Sequence, residues 1–135
     1  MTTDADSPQI LLIAHAPLAS ALRACALHVF ADSGDMVHAL DVPDDEAPEV
    51  TLARAMAVRT GAGMAPLLVL SDLLGATPCN VAQRLVEGTP ARLVAGVNLP
   101  MLLRAIAYRH EAMDAWVQRA LVGGQQGMQA TVVVA

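Results

Sequence analysis

The stretch LVLSDLLGATPCNVAQRL, residues 68–85, contains a strand, a turn and the start of a helix in close succession. Leu67 to Leu70 form a continuous apolar run, which is typical of a strand that helices bury on both faces. Thr77 is predicted to be the N-cap of the helix that follows, with Pro78 at its first position and Gly88 just after its end. This succession predicts one strand-and-helix unit of an α/β fold.

Comparable apolar runs occur on either side of this unit, at Ile10–Ala14 and Leu93–Val97, and a more mixed run at Met36–Val42 is typical of an outer strand. The segments between the runs have helical spacing. Their apolar faces carry Leu18, Leu22, Cys25, Ala26 and Val29 in the first segment and Leu102, Ile106, Met113, Val117 and Leu121 in the last. The alternation predicts an α/β fold with an open, mainly parallel sheet in the common order 2-1-3-4 and helices on both faces.

The last part of the sequence departs from this alternation. Residues 123–129, GGQQGMQ, are predicted to be flexible, and residues 130–135, ATVVVA, are predicted to form a final strand that needs a partner edge. No repeat or low-complexity segment marks a second unit. We therefore expect residues 1–135 to form a single domain.

Composition and charge exclude several classes of protein. The net charge of −5 argues against nucleic-acid binding, because neutralising phosphates requires a basic face. Two cysteines without a CxxC spacing fit a reducing cytoplasm, and the first ten residues lack the basic start of a secretory signal. Charged and polar residues interrupt the most apolar region, so a membrane span is not expected. The predicted location is the cytoplasm.

A candidate site follows from where two polar residues lie in the predicted sheet. His15 follows the first strand and Asp72 follows the third, and the order 2-1-3-4 makes these strands neighbours. A carboxylate that accepts a hydrogen bond from one imidazole nitrogen leaves the other nitrogen as a nucleophile. The free amides near Thr77, Pro78 and Cys79 would attract an anion to the helix N-terminus. Together these features describe a site that carries a phosphoryl group on histidine.

Each of these residues also has a plainer interpretation. A histidine after a strand is more often structural than nucleophilic, Asp72 is also typical of a turn, and Thr77 is also a plain N-cap. Asn98 and Pro100 are predicted to be an N-cap and an early helical proline, and their contact with phosphate is a hypothesis.

Motifs for other chemistries are missing from the sequence. It has no GxxxxGK[ST] loop for ATP, and GAG at residues 61–63 lacks the third glycine and the preceding strand of a dinucleotide site. The four histidines form no HxxxH pair and no Cys/His cluster. We therefore predict no metal and no cofactor, and a phosphoryl donor that is another protein or a small phosphorylated compound.

Three ordered motifs carry a resemblance to a known family: LLIAHAPLASAL, LVLSDLLGATPCNVAQRL and LVAGVNLPMLL. They resemble the IIA components of the mannose and fructose-type branch of the bacterial phosphoenolpyruvate:sugar phosphotransferase system. The resemblance implies that His15 accepts phosphate from the phosphocarrier HPr and passes it to a IIB component, with Asp72 as the orienting carboxylate. Gly75, Ala76 and Thr77 correspond to the family's phosphate-binding segment.

The resemblance also has consequences for assembly. It implies a C-terminal antiparallel edge strand that is exchanged within a homodimer, and contact with a membrane only indirectly, through a permease complex. The family often has His-Gly where this sequence has His15-Ala16, Gly-Gly-Ser where it has Gly75-Ala76-Thr77, and an aromatic residue in place of Leu74. Alanine and threonine keep the small size and the hydroxyl.

Two alternatives belong to the same chemistry. Some family members stand alone, which would make this protein a regulatory phosphoprotein that signals by its phosphorylation state without sugar transport. The related phosphoryl-donor subunit of dihydroxyacetone kinases is disfavoured, because DLLGATP and VNLPML are more similar to the sugar-system branch.

Overall fold

A computed structural model describes residues 7–132 of the chain. The strands are β1 (Gln9–His15), β2 (Val37–Val42), β3 (Leu67–Ser71) and β4 (Arg92–Ala95). The helices are α1 (Leu18–Val29), α2 (Pro48–Ala62), α3 (Thr77–Val86), α4 (Leu99–Ala107) and α5 (Met113–Gln126). In this part of the chain, no helix has both the length and the apolar character needed to cross a membrane.

The strands form one parallel sheet in the order β2-β1-β3-β4, which confirms the predicted order. β1 and β3 are central, and their register pairs Ile13 with Ser71. From β1 the chain moves to one side to form β2, then crosses back to form β3 and β4. The boundary between β1 and β3 is therefore the point where the chain order reverses.

Two apolar cores lie on the two faces of the sheet because side chains alternate along a strand. On β1, Ile10 and Leu12 pack with α1, α4 and α5, whereas Leu11 and Ile13 pack with α2 and α3. These four side chains are completely buried. Burial on both faces explains why the central strands appear in the sequence as continuous apolar runs.

The last helical segment of the sequence forms two helices. The apolar face predicted from Leu102 to Leu121 is shared by α4 and α5, which the turn at residues 108–112 separates. Trp116 of α5 is fully buried, and its indole N–H donates to the carbonyl oxygen of Ala105 in α4 over 2.8 Å. This bond ties the two helices together as one layer.

The predicted flexibility of residues 123–129 is wrong for its first half. Residues 123–126 form the last turn of α5, where the glycines let α5 approach α4 closely. Residues 130–132 are in no strand, and residues 133–135 of the predicted final strand lie outside the described residues. The antiparallel edge strand and its exchange between subunits stay predictions.

Candidate functional site

The carboxyl ends of the two central strands bring His15 and Asp72 together. His15 is the last residue of β1, and Asp72 directly follows Ser71 at the end of β3. In an open α/β sheet, ligands bind at this edge, where the chain order reverses. Topology alone therefore puts both residues at the expected place for a site.

The imidazole of His15 contacts the carboxylate of Asp72. Nδ1 of His15 lies 2.7 Å from Oδ2 of Asp72, and the same oxygen accepts from the backbone N–H of His15 over 3.2 Å. Because a carboxylate oxygen accepts, the proton of a neutral imidazole is on Nδ1, and Nε2 keeps a free lone pair. The His15 side chain is 45% exposed, whereas that of Asp72 is only 12% exposed. The site thus presents an oriented imidazole with a free Nε2, backed by a nearly buried carboxylate.

The electrostatic state of Asp72 follows from the same contacts. Burial raises the pKa of its carboxyl group. Two contacts with His15 lower the pKa by more: the hydrogen bonds from its ring and backbone N–H groups, and the attraction of an imidazolium charge. The pKa consequently lies below its ordinary value. Oδ1 is buried and has no hydrogen-bond partner among the described residues. The carboxylate stays ionised and directs its hydrogen bonding at His15.

Four helices begin at this edge, and their N-termini differ in how they are capped. In α1 the backbone N–H of Ser20 donates to Asp41 over 3.0 Å, and in α4 the N–H of Met101 donates to Asn98 over 2.9 Å. The start of α2 has Glu46 and Glu49 beside it. The first turn of α3 has neither an acidic residue nor a side-chain cap. Because a free helix N-terminus attracts anions, α3 is the helix at this edge that is suited to bind one.

The segment from Asp72 to the first turn of α3 contains the predicted phosphate-binding residues. Thr77 is exposed and is the first residue of α3, while Ala76 is the N-cap, so the predicted N-cap was one residue too late. Gly75 has a φ of +90°, a conformation that favours glycine. The side-chain amide of Asn80 donates to the Gly75 carbonyl oxygen over 3.1 Å and holds this turn against the helix.

Sequence reasoning missed the hydrogen bonds of three residues at this edge: Ser71, Asn80 and Asp41. The buried hydroxyl of Ser71 donates to the Ile13 carbonyl over 2.7 Å, and Asp41 accepts from both the N–H and the hydroxyl of Ser20. Asn80 has a weak signal in the sequence, because asparagine is a poor residue for a helix interior. The predicted cap Asn98 uses its side chain structurally, since its amide also donates to Gly124 over 3.1 Å.

The surface around His15 contains exposed apolar side chains. Leu73 and Leu74 follow Asp72 and are 59% and 78% exposed, and Leu18 at the start of α1 is 37% exposed. Within residues 7–132, no three His, Cys, Asp or Glu side chains are grouped as a metal site would need. An open apolar surface of this kind suits contact with another protein.

Comparison with known proteins identifies relatives of this chain. The family model described as PTS system fructose IIA component matches residues 9–121. No curated protein matches the chain. The mannose/sorbose-specific IIA subunit of the phosphotransferase system from Enterococcus faecalis has a similar structure, with 28% identity, a TM-score of 0.87 and coverage of 96% of this chain and 98% of that one.

Two further solved structures share the fold. The PTS IIA protein associated with the fucose utilization operon from Streptococcus pneumoniae is 22% identical, with a TM-score of 0.78 and coverage of 95% of this chain and 96% of that one. The phosphotransferase system component EIIA from Streptococcus agalactiae is 23% identical, with a TM-score of 0.75 and coverage of 91% and 96%.

Proposed function

We propose that this chain carries a phosphoryl group on Nε2 of His15, because it belongs to the family of PTS system fructose IIA components. The family has a phosphotransfer role in the sugar phosphotransferase system. The donor we propose is the phosphohistidine of HPr, and the acceptor is a IIB component. The observation that carries the proposal is the 2.7 Å contact between His15 Nδ1 and Asp72 Oδ2, which leaves Nε2 as the free nucleophile.

The bonds that form and break in the transfer involve only the two imidazoles and the phosphoryl group. The lone pair of His15 Nε2 attacks the phosphorus, the new N–P bond forms, and the N–P bond to the HPr histidine breaks with its electron pair returning to that ring. The positive charge that develops on the His15 ring is stabilised by Asp72 through the Nδ1–H bond. Such a reaction depends mainly on positioning and charge stabilisation. Transfer to IIB is the same step with His15 as the donor.

The phosphoryl oxygens need their own partners. We assign this role to the first turn of α3 and the segment before it, where Gly75, Ala76 and Thr77 supply amides and a hydroxyl. The uncapped N-terminus of α3 supports the assignment, since α1 and α4 each have one backbone N–H bonded to a side chain, that of Asp41 and that of Asn98. The nearby leucines at 73 and 74 are the surface that we expect HPr and IIB to cover in turn.

The test is phosphorylation of the purified chain. Incubation with phosphoenolpyruvate, enzyme I and HPr should give one acid-labile phosphate per chain, located on His15. The His15→Ala variant should stay unlabelled, whereas His28→Ala, which changes an exposed histidine of α1, should be labelled like the wild type. Labelling of His15→Ala, or an unlabelled wild type, would contradict the proposal. Adding a IIB component should then remove the label.

The same family resemblance leads us to propose a homodimer that exchanges C-terminal segments. The support is that β4 is an edge strand of the sheet and that α5 ends beside Pro100, at the start of α4 next to that edge. Light scattering should return twice the mass of one chain. Val132→Pro, which removes a backbone donor from the exchanged strand, should shift the mass towards a monomer. A stable wild-type monomer would refute the exchange.

A further inference from the structure

A cleft lies at the opposite edge of the sheet from His15. Gln9, the first residue of β1, lines this cleft of about 550 Å³. Six residue steps along β1 separate Gln9 from His15, which corresponds to about 20 Å. A volume of this size is typical of a pocket for a small molecule. A ligand bound there would be too far away to touch the phosphoryl site.

Opposite charges line this cleft without pairing with each other. Asp32 and Asp35 contribute carboxylates from the loop after α1, and Arg109 contributes a guanidinium from the turn after α4. Among residues 7–132 neither carboxylate forms an ion pair, and the same holds for Arg109. Arg109 uses one N–H group to hold the Ile106 carbonyl oxygen and keeps its other donors.

The backbone adds to the negative potential of the two carboxylates. α1, α2 and α4 all end at this edge, at Val29, Ala62 and Ala107, and the carbonyl end of a helix favours positive charge. This field acts together with Asp32 and Asp35. The cleft therefore offers carboxylates suited to a cation and, in Arg109, a guanidinium suited to a carboxylate.

A hydrogen bond between Gln9 and His38 fixes the tautomer of a histidine that lines the same cleft. The side-chain amide N–H of Gln9 donates to the Ser7 carbonyl oxygen. The other amide atom, Oε1, can only accept a hydrogen bond, and it accepts one from Nε2–H of His38 over 2.6 Å. The Nδ1 atom of His38 is thus unprotonated in the neutral ring. Beside it the wall is apolar, formed by Met36, Val58 and Ala62.

We propose that this cleft binds an α-amino acid with an aliphatic side chain, its ammonium group on Asp32 and Asp35 and its carboxylate on Arg109. The aliphatic side chain packs against Met36 and Val58. The two carboxylates, the guanidinium of Arg109 and the apolar side chains match the three parts of such a molecule. The proposal is independent of the phosphoryl chemistry at His15.

The experiment is a titration of the isotope-labelled full chain with L-leucine, followed by NMR. Leucine should shift the amide resonances of Gln9, Asp35, His38 and Arg109. N-acetyl-L-leucine, which lacks the ammonium charge, and L-leucine methyl ester, which lacks the carboxylate, should each bind at least about tenfold more weakly, because each loses a charged hydrogen bond. The His15→Ala variant should bind leucine like the wild type.

Variants locate the site. Arg109→Gln and the double variant Asp32→Asn/Asp35→Asn should each weaken leucine binding about tenfold. Arg59→Gln is the matched control: Arg59 also donates one bond to a carbonyl, that of Leu85 over 2.6 Å, but lies outside the cleft. The proposal is overturned if leucine moves no resonance of the cleft, if both blocked forms bind as well as leucine, or if Arg59→Gln weakens binding as much as Arg109→Gln.

Discussion

Ser71 and Ile13 are partners in the register of β3 and β1, and the Ser71 hydroxyl donates a 2.7 Å hydrogen bond to the Ile13 carbonyl oxygen. Ser71 is completely buried. The bond joins the two strands immediately before Asp72 and two residues before His15. A hydroxyl in an otherwise apolar strand therefore adds a side-chain bond between β1 and β3 next to the strand ends where His15 and Asp72 lie.

Replacing Ser71 by alanine should lower both stability and the rate of phosphorylation. Loss of a buried donor costs about 1–3 kcal/mol of unfolding free energy, which denaturant titration would measure. Ser33→Ala is the control, because the buried hydroxyl of Ser33 also donates over 2.7 Å, to Phe30, at the other edge of the sheet. Ser33→Ala should lose comparable stability but keep the wild-type rate. An equal loss of phosphorylation rate in both variants would show that Ser71 stabilises the fold without positioning the site.

Replacing Asp72 by asparagine should slow phosphorylation by HPr at least tenfold. The amide oxygen of asparagine still accepts from Nδ1–H of His15, but the negative charge that stabilises the developing imidazolium is gone. Loss of an interaction equivalent to one pKa unit corresponds to about a tenfold change in rate. Initial rates with limiting HPr measure the effect. Asp41→Asn is the control, since Asp41 is a carboxylate at the same edge that is bonded to Ser20 and not to His15. A rate for Asp72→Asn equal to that of Asp41→Asn would argue against an electrostatic role for Asp72.

Replacing Leu74 by aspartate should raise the KM for phospho-HPr about tenfold and leave the fold intact. Leu74 is 78% exposed in the loop after Asp72, so a charge there disturbs an apolar contact without touching the core. Met64, which is 93% exposed near the opposite edge, offers the matched control. Met64→Asp should keep the wild-type KM, and a matching rise in both variants would contradict docking at Leu74.

Replacing Gly123 by alanine should destabilise the protein, whereas the same change at Gly124 should not. A Cβ at Gly123 would lie 2.6 Å from Cβ of Arg104, which cannot move without moving α4, and such overpacking costs about 1–3 kcal/mol. At Gly124 the closest atom, at 2.9 Å, is the mobile methyl of Met101, and alanine improves helix propensity by about 1 kcal/mol. Thermal unfolding of the two variants should differ accordingly. Equal melting temperatures would contradict the close approach of α5 to α4.

The stability of the protein should fall as the pH is lowered from about 7.5 to 5.5, in part because of His38. Burial and the charge of Arg23 lower the pKa of the His38 imidazole. The unfolded chain then binds this proton at a higher pH than the folded one, so stability is lost as the pH falls from above the unfolded pKa towards the folded pKa. His38→Gln should reduce this dependence of the urea midpoint, and the exposed His28→Gln should keep it. An unchanged slope for His38→Gln would exclude this cause.

Much of the architecture was predictable from local patterns in the sequence. Continuous apolar runs such as Ile10–Ala14 predicted buried strands, because a strand that helices cover on both faces has apolar side chains on both faces. The alternation of strands and helices restricts the connections to parallel crossovers, and these put the carboxyl ends of β1 and β3 at one edge. The meeting of His15 and Asp72 was therefore predictable from their positions after two strands.

Other features depended on residues that are distant in sequence. The glycines at 123 and 124 suggest flexibility by themselves, yet they are helical because α4 packs against them. Nothing local shows that Asp41 caps α1 and Asn98 caps α4 while α3 stays uncapped, although this difference makes α3 the helix suited to an anion.

Local sequence patterns were enough to predict the strands, most of the helices and the pairing of an imidazole with a carboxylate, because periodicity and parallel topology follow from the order of residues along the chain. The folded structure was needed to show which helix end stays free, which oxygen Ser71 binds and which charged side chains line the cleft at Gln9 without partners among the described residues. These depend on contacts between segments, and the hydrogen-bonding capacity of a side chain does not reveal which partner it will find.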